Sequence, residues 1–313
     1  MDIAAIPVLS LADEPGAFAS AIGRSFREHG FALVRDHGID AGLIARGWEA
    51  TRAFFALPVE EKRRYYNPEI AGARGYTPFK TEIAKGAKQH DLKEFWHVGR
   101  DLPAGHRLAG GMAPNVWPDH PADFREVFTQ LYAQFDAAGA RILSRIATDL
   151  GLAADWFDDP IADGNSVLRL LHYPPLQADE GGAIRAGAHE DINLITLLLG
   201  AEEAGLELLG KDGQWRQIAV PEGAMVINIG DMLQRLSNHV LPSTTHRVRN
   251  PDAARAAHSR YSMPFFLHLR SDFEFRTLPQ CVSAQNPDRY PVSITADDYL
   301  TERLIEIGLL KKK

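Results

Sequence analysis

From about residue 165 the sequence becomes a succession of short apolar or β-branched runs: SVLRLLHY, NLITLLLG, GLELLG, QWRQIAV, AMVINIG, THRVRN and RYSMPFFLHL. Turn-forming residues separate them, and KDGQ (211–214) sets Asp-Gly between two of them, a strong hairpin signal. Runs this short cannot bury a face alone. At such spacing they imply two packed sheets or a barrel, and eight of them would make a jelly roll.

The flanks read as helices. IPVLSL (6–11) suggests a short strand. Phe18, Ile22 and Phe26 then recur every four residues in a helix stopped by Gly30. FALVRDHGI gives another strand and turn. Asp40 is placed to cap a helix carrying Leu43, Ile44, Trp48 and Phe55 and ended by Pro58, and PVEEKRRYY reads as a short charged helix. Residues 66–118 show no clear period and are expected to be irregular. The clearest helix runs from Pro121 to Leu150, with Phe124, Phe128, Leu131, Phe135, Ile142 and Ile146 on one face and Asp119 as its cap. Thr295 and Asp298 open a last helix, expected to reach about Leu309. The expected organisation is an N-terminal region (1–118), a long support helix and linker (119–164), a β core (165–275) and a C-terminal segment with its helix (276–313).

Composition narrows the function classes. A formal net charge of −7 argues against nucleic acid as a partner, which needs a basic face. A single cysteine, Cys281, excludes an internal disulfide and a multi-thiolate metal site. The start lacks the basic and apolar regions of a secretory signal, and the apolar runs near 194–199 and 224–229 are too short to span a membrane. A cytoplasmic, soluble protein is expected.

Polar residues stand out inside the β core. On one strand His189 and Asp191 would share a face, with Glu190 on the other. A third ligand must come from His239, His246, His258 or His268. His246 is favoured because THRVRN reads as a strand, whereas His239 sits among turn residues. Two imidazoles and a carboxylate are the donor set of non-haem Fe(II) oxygenases and leave three positions open. The bland alternative is Asp191 capping a turn and His246 on the surface. Arg260 and Ser262 form another i, i+2 pair, able to grip a carboxylate, unless the arginine merely pairs with a structural acid. Tyr173 precedes Pro174 and Pro175 and is placed to add a phenol to the same pocket or simply to pack. His172 and His268 read as core or rim histidines.

Together these segments resemble the isopenicillin N synthase-like branch of the Fe(II)/2-oxoglutarate-dependent dioxygenases. The likeness runs from IPVLSL, EHGFALVRDHGI and FFALPVEEK through RGY, DLKEFW and NVWP to RLLHYPPL, HEDINLITLLL, the stretch 212–248 and SRYSMPFFL. It implies a double-stranded β-helix with Fe(II) held by His189, Asp191 and His246. It further implies 2-oxoglutarate on the iron, its far carboxylate on Arg260 and Ser262 with Tyr173, O2 as co-substrate and ascorbate as a reductant. Succinate and CO2 would leave as an unactivated C–H is oxidised. Glu190, His239 and Leu171 depart from the family pattern, and His239 becomes a candidate substrate contact.

The expected function is oxidation of a small molecule by hydroxylation, desaturation or ring formation. An oxidase of the same fold that needs no 2-oxoglutarate, a non-catalytic binding protein and a zinc hydrolase are the alternatives. Lys80, Lys85, Lys88 and Lys93 outnumber Glu82 and Asp91 across 80–93, which suggests an anionic substrate unless these lysines are simply solvated. Arg74, Phe79, His90 and Trp96 are further candidate contacts. The sequence leaves the oligomeric state open.

Overall fold

The computed structural model describes residues 3–70, 72–83, 89–176, 183–200 and 205–306. The chain opens with β1 (Val8–Ser10), α1 (Pro15–His29), β2 (Phe31–Arg35), α2 (Ala41–Phe55) and α3 (Val59–Arg63). Then come β3 (Gly75–Thr77), β4 (Glu94–Gly99), α4 (Phe124–Asp149) and α5 (Asp158–Ile161). The β-rich part holds β5 (Val167–Tyr173), β6 (Ala186–His189), β7 (Ile195–Leu199), β8 (Leu206–Leu209), β9 (Trp215–Gln217) and β10 (Met225–Ile229). After α6 (Asp231–Leu236) follow β11 (His246–Val248), α7 (Ala253–Ala256) and β12 (Arg260–Leu267). A small hairpin of β13 (Glu274–Phe275) and β14 (Ile294–Thr295) leads into α8 (Ala296–Glu306).

Eight strands form a major sheet in the order β1-β2-β10-β7-β12-β5-β4-β3, and four form a minor sheet, β6-β11-β8-β9. The fold is a double-stranded β-helix with helices packed outside. Strand alternation divides the major sheet into two functional faces. Val34, Trp96, Leu170, Leu197, Ile227 and Phe265 turn outward into the core built with α1, α2 and α4. Their neighbours Phe31, Leu33, Phe95, Leu171 and Val226 turn inward and meet Ala186, Leu206, Leu208 and Val248 of the minor sheet. The polar residues of interest lie on that inner face.

Local chemistry explains the boundaries. Gly30 ends α1 in the left-handed conformation, and a Cβ there would lie 2.1 Å from Thr244 Oγ1. Asp40 caps α2 by accepting from Leu43 N at 2.7 Å. Thr295 and Asp298 bond each other reciprocally at the start of α8; the expected end of that helix near Leu309 lies outside the described residues.

Three expectations are corrected. Residues 66–118 are not wholly irregular, because β3 and β4 lie there. Every residue of β4 is buried, on both faces, so no apolar–polar alternation marks it. Asp119 does not cap α4; its carboxylate accepts from Tyr65 Oη, and the helix begins after Asp123. The stretch HEDINLITLLL is not one strand. It breaks after His189, crosses between the sheets at residues 190–194 and resumes as β7.

Beneath the outer face of β4, buried Glu94 accepts from Lys62 Nζ at 2.8 and 2.9 Å, and from Tyr76 Oη, and pairs with His172 Nδ1 at 2.7 Å. Lys62 is also buried and also donates to Phe55 O. Removing one member leaves a desolvated charge without its counter-ion. Lys62→Met is therefore expected to cost about 3–5 kcal/mol of unfolding free energy, read by urea denaturation.

Candidate metal centre and cavity

His189 closes β6 and His246 opens β11, and the two are direct partners in the antiparallel register. Their rings lie 4.4 Å apart between centroids. Asp191 stands two residues past His189, at the corner where the chain leaves the minor sheet. One Asp191 oxygen lies 3.8 Å from His189 Nε2 and the other 3.9 Å from His246 Nε2. Ligand atoms of all three residues fall within 4.8 Å of one another.

The surroundings orient each donor. His189 Nδ1 donates to Gly187 O at 2.7 Å, and His246 Nδ1 to Thr244 O at 3.1 Å. With the protons there, each Nε2 turns its lone pair toward the common centre. Burial, reinforced by His246, brings the His189 pKa down to about 4, so the ring is an unprotonated donor near neutrality. Asp191 Oδ2 accepts from Thr196 Oγ1 at 2.6 Å and Asn228 Nδ2 at 2.8 Å. Burial pushes this carboxyl up, but the imidazoles and the two donors outweigh it and hold it below its ordinary value. Glu190 is exposed, stands outside the three-donor group and accepts from Thr245 Oγ1 at 2.8 Å. Two imidazole nitrogens and one carboxylate oxygen, converging on one point, fit a divalent metal with open positions.

A narrow cavity runs from this centre between the sheets, lined by Tyr173, Leu198, Val248, Arg260, Ser262 and Pro264 among others. Arg260 and Tyr173 are register partners, and the guanidinium lies 4.9 Å from the phenol ring centroid. A cationic fork beside a hydroxyl, in apolar walls, suits a carboxylate. A wider cavity of about 470 Å³ also reaches the candidate metal centre, sharing Lys93, Arg169, His189, Asp191 and Phe266 with the narrow one. Its wall includes Lys93, His97, Arg169, Phe266 and His268, with Leu300, Arg303 and Leu304 of α8. Arg303 Nη2 reaches Asp231 Oδ2 at 2.9 Å, and the Asp231 N–H donates to Asp191 O at 2.7 Å. The last helix is thus tied to the corner that carries Asp191.

Other candidates are placed elsewhere. Trp96 is fully buried against Phe54 and Phe124, and buried Arg74 bonds Ala73 O and Asn165. His239 takes a positive φ and pairs with Tyr290 Oη at 2.5 Å. His172 bonds Glu94 and Ser259, His258 is exposed, and Phe79 and His90 lie outside the cavity wall. Lys93 is not a solvated lysine: Asp91 at 2.8 Å and Glu82 at 2.9 Å hold its ammonium in the protein. Lys80 is exposed, and Lys85 and Lys88 lie outside the described residues.

Sequence reading missed Thr196, Asn228 and Arg169. The first two carried a signal, each being a polar residue inside an apolar strand run. Arg169 lies four residues before Tyr173, and therefore on its face of β5.

Two family models match the chain: "non-haem dioxygenase in morphine synthesis N-terminal" over residues 6–120, and "2OG-Fe(II) oxygenase superfamily" over residues 164–269. The 2-oxoglutarate-Fe(II) type oxidoreductase hxnY of Emericella nidulans is 33% identical over 299 residues, covering 90% of this chain and 84% of its own. The chain belongs to the 2-oxoglutarate–Fe(II) oxygenase superfamily, in its isopenicillin N synthase-like family. A solved oxygenase family protein of Caulobacter crescentus is 54% identical, with a TM-score of 0.91 over 97% of this chain and 99% of that one. A Neurospora crassa protein, solved with alpha-KG and thymine, is 28% identical, with a TM-score of 0.84 and 96% of each chain covered. This oxygenase accordingly works with Fe(II) and 2-oxoglutarate on small molecules. Among the described residues no helix is long and apolar enough to cross a membrane.

A metal held by Asp191 would depend on the bonds to its Oδ2. Asn228→Leu is expected to weaken Mn(II) binding about 10- to 100-fold, measured by calorimetric titration under nitrogen, because it removes one of the two donors that orient the carboxylate.

Proposed function

We propose that His189, Asp191 and His246 hold the iron of this oxygenase and that Arg260 and Ser262, with Tyr173 beside them, hold the far carboxylate of 2-oxoglutarate. The observation that carries this reading is the convergence of the three donors at the mouth of a cavity walled by Arg260, Ser262 and Tyr173. Bound iron and 2-oxoglutarate supply the oxidation of an unactivated C–H by O2, by hydroxylation, desaturation or ring closure, with succinate and CO2 as co-products.

The chain's own residues bind, orient and exclude water. The three donors converge on one point and would hold the metal there, and three protein ligands would leave it able to take 2-oxoglutarate and O2. Thr196 and Asn228 fix the angle of Asp191, and the carbonyls of Gly187 and Thr244 fix the two imidazoles. Arg260 and Ser262 orient 2-oxoglutarate from its remote end, so its reacting end meets the metal in one register. Leu171, Leu198, Leu206 and Val248 keep the space between the sheets apolar and limit loss of the oxidant to water. The wider cavity receives the substrate, and because the Neurospora crassa relative was solved with thymine, an uncharged heterocycle is the first compound to try.

The test is O2 consumption by Fe(II)-loaded protein with ascorbate and a metabolite panel, with and without 2-oxoglutarate, scored for succinate. Uptake that requires 2-oxoglutarate and matches succinate is expected; uptake without it would make the protein an oxidase of the same fold. His189→Ala with full activity would end the reading. Arg260→Met is expected to raise the KM for 2-oxoglutarate about 10- to 100-fold, the loss of a bond to a charged group.

A further inference from the structure

We propose that the wider cavity takes an uncharged substrate and that His268 orients it by hydrogen-bonding a polar group on that substrate. This rests on the oxygenase reading of the site above.

The first observation is how the charges of the wall are paired. Lys93 is bound by Asp91 and Glu82 at 2.8 and 2.9 Å, and the second Asp91 oxygen accepts from Gly187 N at 2.9 Å. Arg169 donates to His97 Nε2 at 2.6 Å and meets Glu82 at 3.3 and 3.4 Å, its guanidinium lying 4.2 Å from the Phe95 ring centroid. Arg303 has Asp231. Each cation described in this wall therefore already faces a carboxylate, and Glu190 adds a negative charge. An anionic substrate would have to displace Glu82 from two cations or lie against buried carboxylates, and both are unfavourable. The remaining surface, from Ile83, Val167, Ile192, Phe266, Leu300 and Leu304, offers apolar contact.

The second observation is His268. It follows β12 on the face of Ser262 and Phe266, and its ring lines the cavity that also holds His189 and Asp191. Its Nδ1 is enclosed and takes no hydrogen bond from a described residue, so Nε2 is the ring atom that a molecule in the cavity would meet. Of the other two imidazoles of the wall, His189 belongs to the candidate metal centre and His97 is committed at both nitrogens, to Gly72 O at 2.7 Å and to Arg169. A polar ring left unmatched among charges that are already paired is open to a polar group of a ligand. His268 is thus the polar point against which an otherwise apolar molecule would be aligned beside the metal.

The test uses matched pairs: indole-3-acetamide with indole-3-acetic acid, benzamide with benzoic acid, and uracil with orotic acid. Binding is measured calorimetrically under nitrogen to protein loaded with Mn(II) and 2-oxoglutarate. The neutral member is expected to bind about tenfold or more tightly in each pair that binds. His268→Phe should weaken the neutral members about tenfold without changing Mn(II) or 2-oxoglutarate affinity, and His268→Gln should restore part of the loss. Glu82→Gln, which leaves one cationic charge uncompensated, should strengthen binding of the acids. A tighter acid in any pair, no binding by any neutral member, or neutral compounds indifferent to His268→Phe would overturn the proposal. Failure of the oxygenase reading would show separately, as aerobic incubation without succinate while the binding preference persists.

Discussion

The site depends on one clasp. Thr196 and Asn228 face each other across neighbouring strands of the major sheet and bond the same oxygen of Asp191, which sits at the corner leaving the minor sheet. The corner cannot shift without breaking two buried hydrogen bonds to a charged acceptor, each among the stronger kind a protein makes. From there the geometry propagates. Backbone bonds from Gly230, Asp231 and Met232 grip residues 191–194, and Arg303 of the last helix closes on Asp231. The histidines are positioned independently, by their register across β6 and β11. The centre is therefore built where two separately determined structures meet.

Buried charge is the other organising constraint. Lys93 and Glu94 are adjacent in sequence and point to opposite faces of the major sheet. Glu94 finds Lys62, Tyr76 and His172 on the helical side, and Lys93 finds Glu82 and Asp91 on the cavity side. Neither charge is tolerable alone in these surroundings. Together they anchor the N-terminal region to both faces of the sheet and give the cavity a wall whose charges are satisfied before any ligand arrives.

Much of this was legible in the sequence, because period two is a geometric rule. The pair Arg260 and Ser262 shares a face of β12 as alternation implies, and the succession of short runs implies paired sheets, whereas Asp191 comes beside His189 at a corner past the end of β6 and not by strand alternation. Other features were hidden for specific reasons. β4 is buried on both sides, and its charge is neutralised by Lys62, far away in the chain, so it looked like loop. The sheet crossing at 190–194 was masked by an apolar run that starts before the strand it belongs to. Lys93 resembled its solvated neighbours, since burial is set by where Glu82 folds back. The choice of His246 over His239 turned on strand against turn, a distinction that local residue types do carry.

The wider cavity draws its walls from distant parts of the chain: the loop around Glu82, the inner strands, and the last helix with Leu300 and Leu304. The candidate metal donors His189, Asp191 and His246 come only from the β core. The cavity thus adds residues from outside the β core, such as Glu82, Lys93 and Leu300, to core residues such as Arg169, Phe266 and His268. On the proposed reading, changes around Glu82 or in the last helix would reshape this wall while the three candidate donors stay as they are, giving one reaction a short route to many substrates.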